Sequence, residues 1–159
     1  MKGSSEAIIK MLNELLKGEL AATNQYFLHA SLCKKWGFVR LYKKIYDESI
    51  EEMKHAEQLI DRILFLEGLP IVNESTKIAV GKNVKEILEN DLALEKDGLP
   101  ELKEGVALCF EQSDTGSREL LEHILVNAED HIQWLQSQTF LIKQVGYENY
   151  CAQQIQPAT

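Results

Sequence analysis

A chain of 159 residues with 45% hydrophobic content is long enough for one domain, spanning residues 1–159, with a continuous core. Three Pro and nine Gly are few for this length, and the apolar residues recur at helical spacings, so an all-α protein is expected and β architecture is disfavoured. A formal charge of -8 and a pI near 5.0 oppose nucleic acid, whose phosphates repel such a surface, and suit a protein that attracts cations.

The first residues, MKGSSEAIIKML, lack the uninterrupted apolar run of a signal peptide, and nothing approaches the roughly eighteen apolar residues of a membrane span. Cytoplasmic residence is therefore expected. Ser5 to about Lys35 reads as the first helix, broken near Gly37, and Val39 to Glu67 as the second, ended by Gly68-Leu69-Pro70. Asn83, with Glu86 three residues on, resembles an N-cap pair opening a third helix that runs to about Gln112. Pro100 falls inside it, so a kink after Gly98 is expected, the alternative being two shorter helices with Pro100 opening the second. Ser113 to Gly116 turns the chain into a fourth helix reaching Gln144, and a short fifth is expected from Tyr147 to Gln156. Cys33, Cys109 and Cys151 are widely spaced with no CxxC, as free thiols of a reducing compartment would be.

Connection lengths set the topology. The first and third links are a few residues each, whereas Leu69 to Lys82 could reach about 46 Å when extended. A helix of about 28 residues is roughly 42 Å long, so this segment can return along the bundle and make the second and third helices parallel. That is the four-helix bundle with one long crossover.

Carboxylates interrupt the apolar stripes. Glu19 lies with Leu12, Leu15, Leu16, Tyr26, Ala30 and Cys33; Glu52 and His55, an ExxH pair, with Ala56, Leu59, Ile63 and Leu66; Glu95 with Val84, Leu88, Leu92 and Leu102; and His131 with Leu120, Ile124, Leu135 and Ile142. A lone inward Glu means little, but five such positions on four helices need compensation. Oxygen and imidazole ligands facing one another across four helices suit a pair of iron ions, as in ferritin-like di-iron bundles. A metal-free structural helical protein is the competing reading, which iron and haem content would separate.

The segments GELAATNQYFLHA, ESIEEMKHAE, RILFLEGLP and NDLALE resemble bacterioferritins, and the resemblance covers nearly the whole chain. It implies a ferritin-like shell of two dozen subunits around a ferric mineral, with Fe(II) oxidised at an intrasubunit di-iron centre. By position, Glu19 and Glu95 would be terminal carboxylates, Glu52 a bridging one, and His55 and His131 terminal imidazoles. The family's second ExxH fails here, because Ala128 stands three residues before His131. Glu129 points about 160° away from His131 and Asp130 about 100°, so neither simply takes over. Asn127 is expected to face inward, as a neutral amide and hence a poor substitute. Where the family often has His and Asp inside the cavity, this chain has Asp47 and Glu51.

Met53 leaves the core face for a second apolar stripe with Tyr46, Ile50, Ile60 and Leu64, matched on the first helix by Leu20 and Phe27. Geometry alone leaves Met53 as an adaptable packing residue at a subunit interface. In the setting Glu-Glu-Met-Lys-His, the resemblance implies a b-type haem held between two Met53 residues across a two-fold axis, in a pocket including Leu20, Asn24, Phe27, Tyr46 and Ile50. Electron transfer for iron release is the implied role, with a ferredoxin-like donor as a partner. A retained haem ligand beside an incomplete di-iron site suggests a shell mixed with a ferroxidase-competent subunit. An active homopolymer that tolerates Ala128 is the alternative. Rubrerythrin-like peroxidases and small DNA-protecting ferritins fit less well, the former for want of CxxC pairs. His123 reads as a surface or interface residue, and Trp36 and Trp134 as packing groups.

Overall fold

The computed structural model describes residues 2–74 and 76–157. They form five helices: α1 (Lys2–Lys35), α2 (Val39–Phe65), α3 (Val84–Glu111), α4 (Thr115–Val145) and α5 (Tyr147–Gln154), with no strand among the described residues. The expected helices are all present, with ends displaced by a few residues. α2 stops two residues early: the Leu66, Glu67 and Gly68 amides fold back onto the Arg62, Leu64 and Ile63 carbonyls. The left-handed residue of that turn is Glu67, with φ 65°, rather than Gly68. Gly68 is needed for another reason, since a Cβ there would lie 2.8 Å from the Ile9 side chain.

Asn83 caps α3 by accepting from the Glu86 amide, while Glu86 reaches back to the Lys82 amide. The helix runs unbroken through Pro100, so the two-helix alternative is not adopted. Pro100 withdraws a hydrogen bond from the carbonyl of Lys96, and because both residues are exposed, water can satisfy that group. Asp114 caps α4 through the Ser117 amide and also accepts from Arg62 of α2 at 2.7 Å, tying the two helices together at one end.

α1 packs mainly on α2 and α3 mainly on α4, with α1 against α3 and α2 against α4 closing the square. His29 meets Asp91 whereas Gly105 approaches Met11, so α1 and α3 are antiparallel; likewise α4 runs against α2, His131 facing Glu48 and Ser117 facing Arg62. The second and third helices are consequently parallel, as the long connection requires. That connection follows α1: Leu69 and Ile71 bond the Asn13 side chain, Ala79 the Gln25 side chain and Gly81 the His29 ring. Ser75 within it lies outside the described residues. Among those described, no helix is long and apolar enough to cross a membrane.

Two apolar clusters fill the bundle. Leu12, Leu16, Leu59, Ile63 and Leu121 centre one, and Tyr26, Leu41, Ile87, Leu88 and Leu135 the other. Each fully buried aliphatic side chain contributes about 1.5–3 kcal/mol of transfer free energy. Between the clusters lies a polar layer.

Candidate metal centre

That layer contains the five residues expected from the stripes. Glu52, His55, Glu95 and His131 are buried, and 12% of the Glu19 side chain is exposed. The Nδ1 edge of His55 faces two carboxylates, 3.4 Å from Glu52 and 3.6 Å from Glu19. Nδ1 of His131 lies 3.0 Å from Glu95 and 3.6 Å from Glu48. Donor atoms of Glu19, Glu52 and His55 lie within 4.8 Å of one another, as do those of Glu52, Glu95 and His131. Glu52 belongs to both groups, so the layer can hold two cations side by side about one shared carboxylate.

Hydrogen bonds hold these donors from behind. The Tyr26 hydroxyl donates to Glu95 Oε1 at 2.6 Å, and the Tyr26 and His131 rings meet nearly perpendicular with centroids 5.3 Å apart. Trp134 stacks on His131, with Lys44 Nζ 5.0 Å from the Trp134 ring centroid. Trp134 thus packs on a candidate ligand, while Trp36 is at the surface. The Asn127 amide nitrogen lies 3.1 Å from His55 Nε2 and 3.3 Å from His123 Nε2. Asn127 does face inward, but it meets the edge of His55 turned away from the carboxylates, so it buttresses that ring. His123 is exposed as expected, yet joined to the centre through Asn127. Glu129 and Asp130 are exposed.

Two openings reach the layer. A cavity of about 420 Å³ enters between α1 and α3, lined among others by Gly18, Glu19, Glu52, His55, Glu95 and Ala128. A smaller one of about 190 Å³ enters between α2 and α4, past Glu48, Glu51, Asp130 and His131, and again reaches Glu52 and His55. Glu48, held by Lys44 at 2.8 Å, is a site residue that the sequence reading missed. Glu51 lines this second opening, whereas Asp47 points elsewhere and pairs with Lys43.

Burial raises Glu19 to about 7 and, together with the charge of Glu19, pushes Glu52 well above the usual carboxylate range. Burial acts on Glu95 in the same direction, but the His131 hydrogen bond and charge outweigh it and hold Glu95 below its ordinary value. Burial would lower His131, but Glu95 raises it. Since Glu19 and Glu52 favour the neutral form when folded, their contribution to metal-free stability is full below pH about 4.5 and falls as pH rises toward 7. A divalent cation needs the charged forms. Zn(II) binding at pH 6.5 should therefore release protons, read as a binding enthalpy that changes with the ionisation heat of the buffer; a buffer-independent enthalpy would contradict this.

The side face carries the other candidate set. Met53 is 48% exposed, and it lies with half-exposed Phe27 and Leu64 on an apolar surface between α1 and α2. Leu20, Tyr46 and Ile50 are partly buried on the same band, Phe27 meets Tyr46 edge to face at 5.6 Å, and Asn24 is exposed. The structure thus separates the two sets, placing Met53 outward and its neighbour Glu52 inward.

The family model described as Ferritin-like domain matches residues 9–145. The chain is 43% identical over 153 residues to Bacterioferritin BfrA of Mycobacterium tuberculosis, covering 96% of each chain. It is 44% identical over 156 residues to Bacterial ferritin of Synechocystis, covering 98% of this chain and 99% of the relative. Identity is 43% over 150 residues to Bacterioferritin of Brucella melitensis, covering 94% and 92%. With a long-crossover bundle, a buried Glu/His layer and similarity over nearly its full length, the chain belongs to the bacterioferritin family.

Proposed function

We propose that the protein is an iron-storage subunit that admits Fe(II) to the polar layer, assembles into a cytoplasmic cage of two dozen subunits around a ferric mineral, and holds haem at Met53. The observation carrying this reading is the pair of donor groups joined by Glu52 in the middle of the bundle. Glu19 and His55 would hold one iron, Glu95 and His131 the other, and Glu52 would bridge them.

In this reading the centre is incomplete. Ala128 lies one turn before His131, is 7% exposed, and lines the cavity beside Glu52, where the family's second ExxH would supply another carboxylate. With Glu48 already paired to Lys44, the three remaining carboxylates leave two Fe(II) ions with one uncompensated positive charge in a buried site, which weakens occupancy by both. Aerobic Fe(II) oxidation by the homopolymer should be slow, and Ala128→Glu should accelerate it at least about tenfold, about 1.4 kcal/mol of barrier. Fast oxidation by the original chain would restore an active ferroxidase homopolymer. A slow original is the condition under which a cage mixed with a ferroxidase-competent subunit makes sense, and native extracts containing only homopolymeric cages would argue against mixing.

The side face supports a haem reading: the Met53 thioether is half-exposed on an apolar surface that also carries Phe27, Tyr46 and Leu64. Met53 residues from two subunits would hold the haem, with Leu20, Asn24, Phe27, Tyr46 and Ile50 as the rest of its pocket. A haem held by two thioethers supplies one-electron transfer, with no open position for oxygen, which suits reduction of stored Fe(III) by a ferredoxin-like donor. Met53→Leu keeps the apolar volume and removes the ligand. It should abolish haem uptake in reconstitution followed by pyridine haemochrome absorbance, while divalent-ion binding persists; full haem retention would remove Met53 from this role.

A further inference from the structure

The polar layer is asymmetric at Ala128. A methyl group from α4 faces a cavity of about 420 Å³ whose wall includes Glu19, Glu52, His55 and Glu95, and whose small residues Gly18 and Gly98 widen it further. Liquid water occupies about 30 Å³ per molecule, so a formate-sized anion fits there together with several waters. The mouth carries Lys17 and Lys77 beside Glu14, Asp97 and Glu101, a balance that favours entry of cations first. In the metal-free layer the largely buried carboxyls of Glu19, Glu52 and Glu95 offer an anion no compensating positive charge. With two divalent cations bound, the same layer carries an excess positive charge that an anion would neutralise at short range.

We propose that a small oxyanion of the carboxylate type, such as formate or bicarbonate, enters beside Ala128 and completes a two-cation centre in place of a fourth protein carboxylate. This rests on the reading of the layer as a two-cation site. Oxyanion and second cation are coupled ligands, each tightening the other by the same factor, and neither is expected to bind well alone. Glu19, Glu52 and His55, or Glu52, Glu95 and His131, hold the first cation without help.

The test is an anaerobic Co(II) titration of the assembled protein, followed by visible absorbance in a non-coordinating buffer containing chloride, formate or bicarbonate at equal ionic strength. The first Co(II) per subunit should be indifferent to the anion. The second should bind at least about tenfold more tightly with formate or bicarbonate than with chloride, a coupling of about 1.4 kcal/mol, and the stronger of the two identifies the source of the oxyanion. Ala128→Glu should bind both ions in chloride and lose the formate effect, and Ala128→Leu, which fills the space, should bind one ion whatever the anion. Equal binding of the second ion in chloride and in both oxyanions would overturn the proposal, as would an oxyanion effect that survives in both variants. A single Co(II) under every condition would overturn it while leaving a one-metal site, whereas no Co(II) at all would overturn the metal reading as well.

Discussion

Glu52→Gln should make the metal-free protein more stable and nearly destroy its capacity for divalent cations. Glu52 is buried, and burial together with the charge of Glu19 holds its carboxyl well above the usual carboxylate range. At pH 7.5 an unfolded carboxyl ionises freely, whereas the folded one must either keep its proton or bear a charge that it can neither solvate nor pair fully, a strain on the folded state. A neutral amide of the same shape removes that strain, and replacements of this kind stabilise by about 1–3 kcal/mol. For a chain of this size the melting temperature should rise by about 2–4 °C per kcal/mol. Metal binding moves the opposite way, because Glu52 is common to both donor groups. Loss of an outer-shell partner alone typically costs 10–100-fold in affinity, so loss of the shared carboxylate should exceed about 100-fold. His131→Ala is the informative contrast, since it leaves Glu19, Glu52 and His55 intact and should preserve one ion. Thermal melts and Zn(II) calorimetry on the two variants check both signs. A Glu52→Gln protein that melts lower, or that still binds two ions, would contradict the account.

The second large effect is expected away from the centre, at Asp91→Ala. Asp91 accepts from the Gln25 amide at 2.9 Å and lies 2.7 Å from Nδ1 of His29, with all three residues almost fully buried. The Gly81 amide donates to Nε2 of His29, so that nitrogen carries no proton and Nδ1 must be the donor toward Asp91. Removing the carboxylate strands two buried donors at once. At about 1–3 kcal/mol for each stranded donor, the cost should be about 2–6 kcal/mol, a large part of the 5–15 kcal/mol that holds an ordinary domain together. Asp91→Asn retains an acceptor oxygen and should lose distinctly less. Chemical denaturation of the two variants measures the difference, and a loss below about 1 kcal/mol for the alanine variant would show that water replaces the carboxylate.

The same sequence signal is carried by both sets of polar residues, but only one set was read from it. Glu19, Glu52, His55, Glu95 and His131 stood out because ionisable side chains at apolar-stripe spacing demand partners, and a ligand pattern was available to explain them. His29 has the spacing of Tyr26 and Cys33, Asp91 that of Leu88 and Glu95, and Glu48 lies one turn before Glu52. Each was therefore visible as a polar residue on a buried face. Their partners were not, since His29 is answered by a backbone amide of the crossover and Glu48 by Lys44, contacts that helical periodicity does not encode. Tyr26 was read as core, and it is core, but periodicity says nothing of where a hydroxyl at the end of an apolar ring finds its acceptor. At Pro100 the helix continues rather than dividing in two, because a freed carbonyl on an exposed face loses a helical partner and gains water. The end of α2 was misplaced for a related reason, as Glu67 took the left-handed turn conformation while Gly68 served packing against Ile9.

The crossover has a consequence for how the chain opens. The α1–α2 and α3–α4 pairs are local hairpins that can form from neighbouring segments, whereas the amides of Ile71, Ala79 and Gly81 are satisfied only by side chains of α1. Ala79 and Gly81 gain those acceptors at the end of α1 where Asp91 of α3 also docks. Their hydrogen-exchange rates therefore report separation of the two hairpins rather than unwinding of any helix. Exchange there at a rate matching the slowest core amides would mark the bundle as one cooperative unit, and faster exchange would reveal an opening in which both hairpins persist while the strap between them is free.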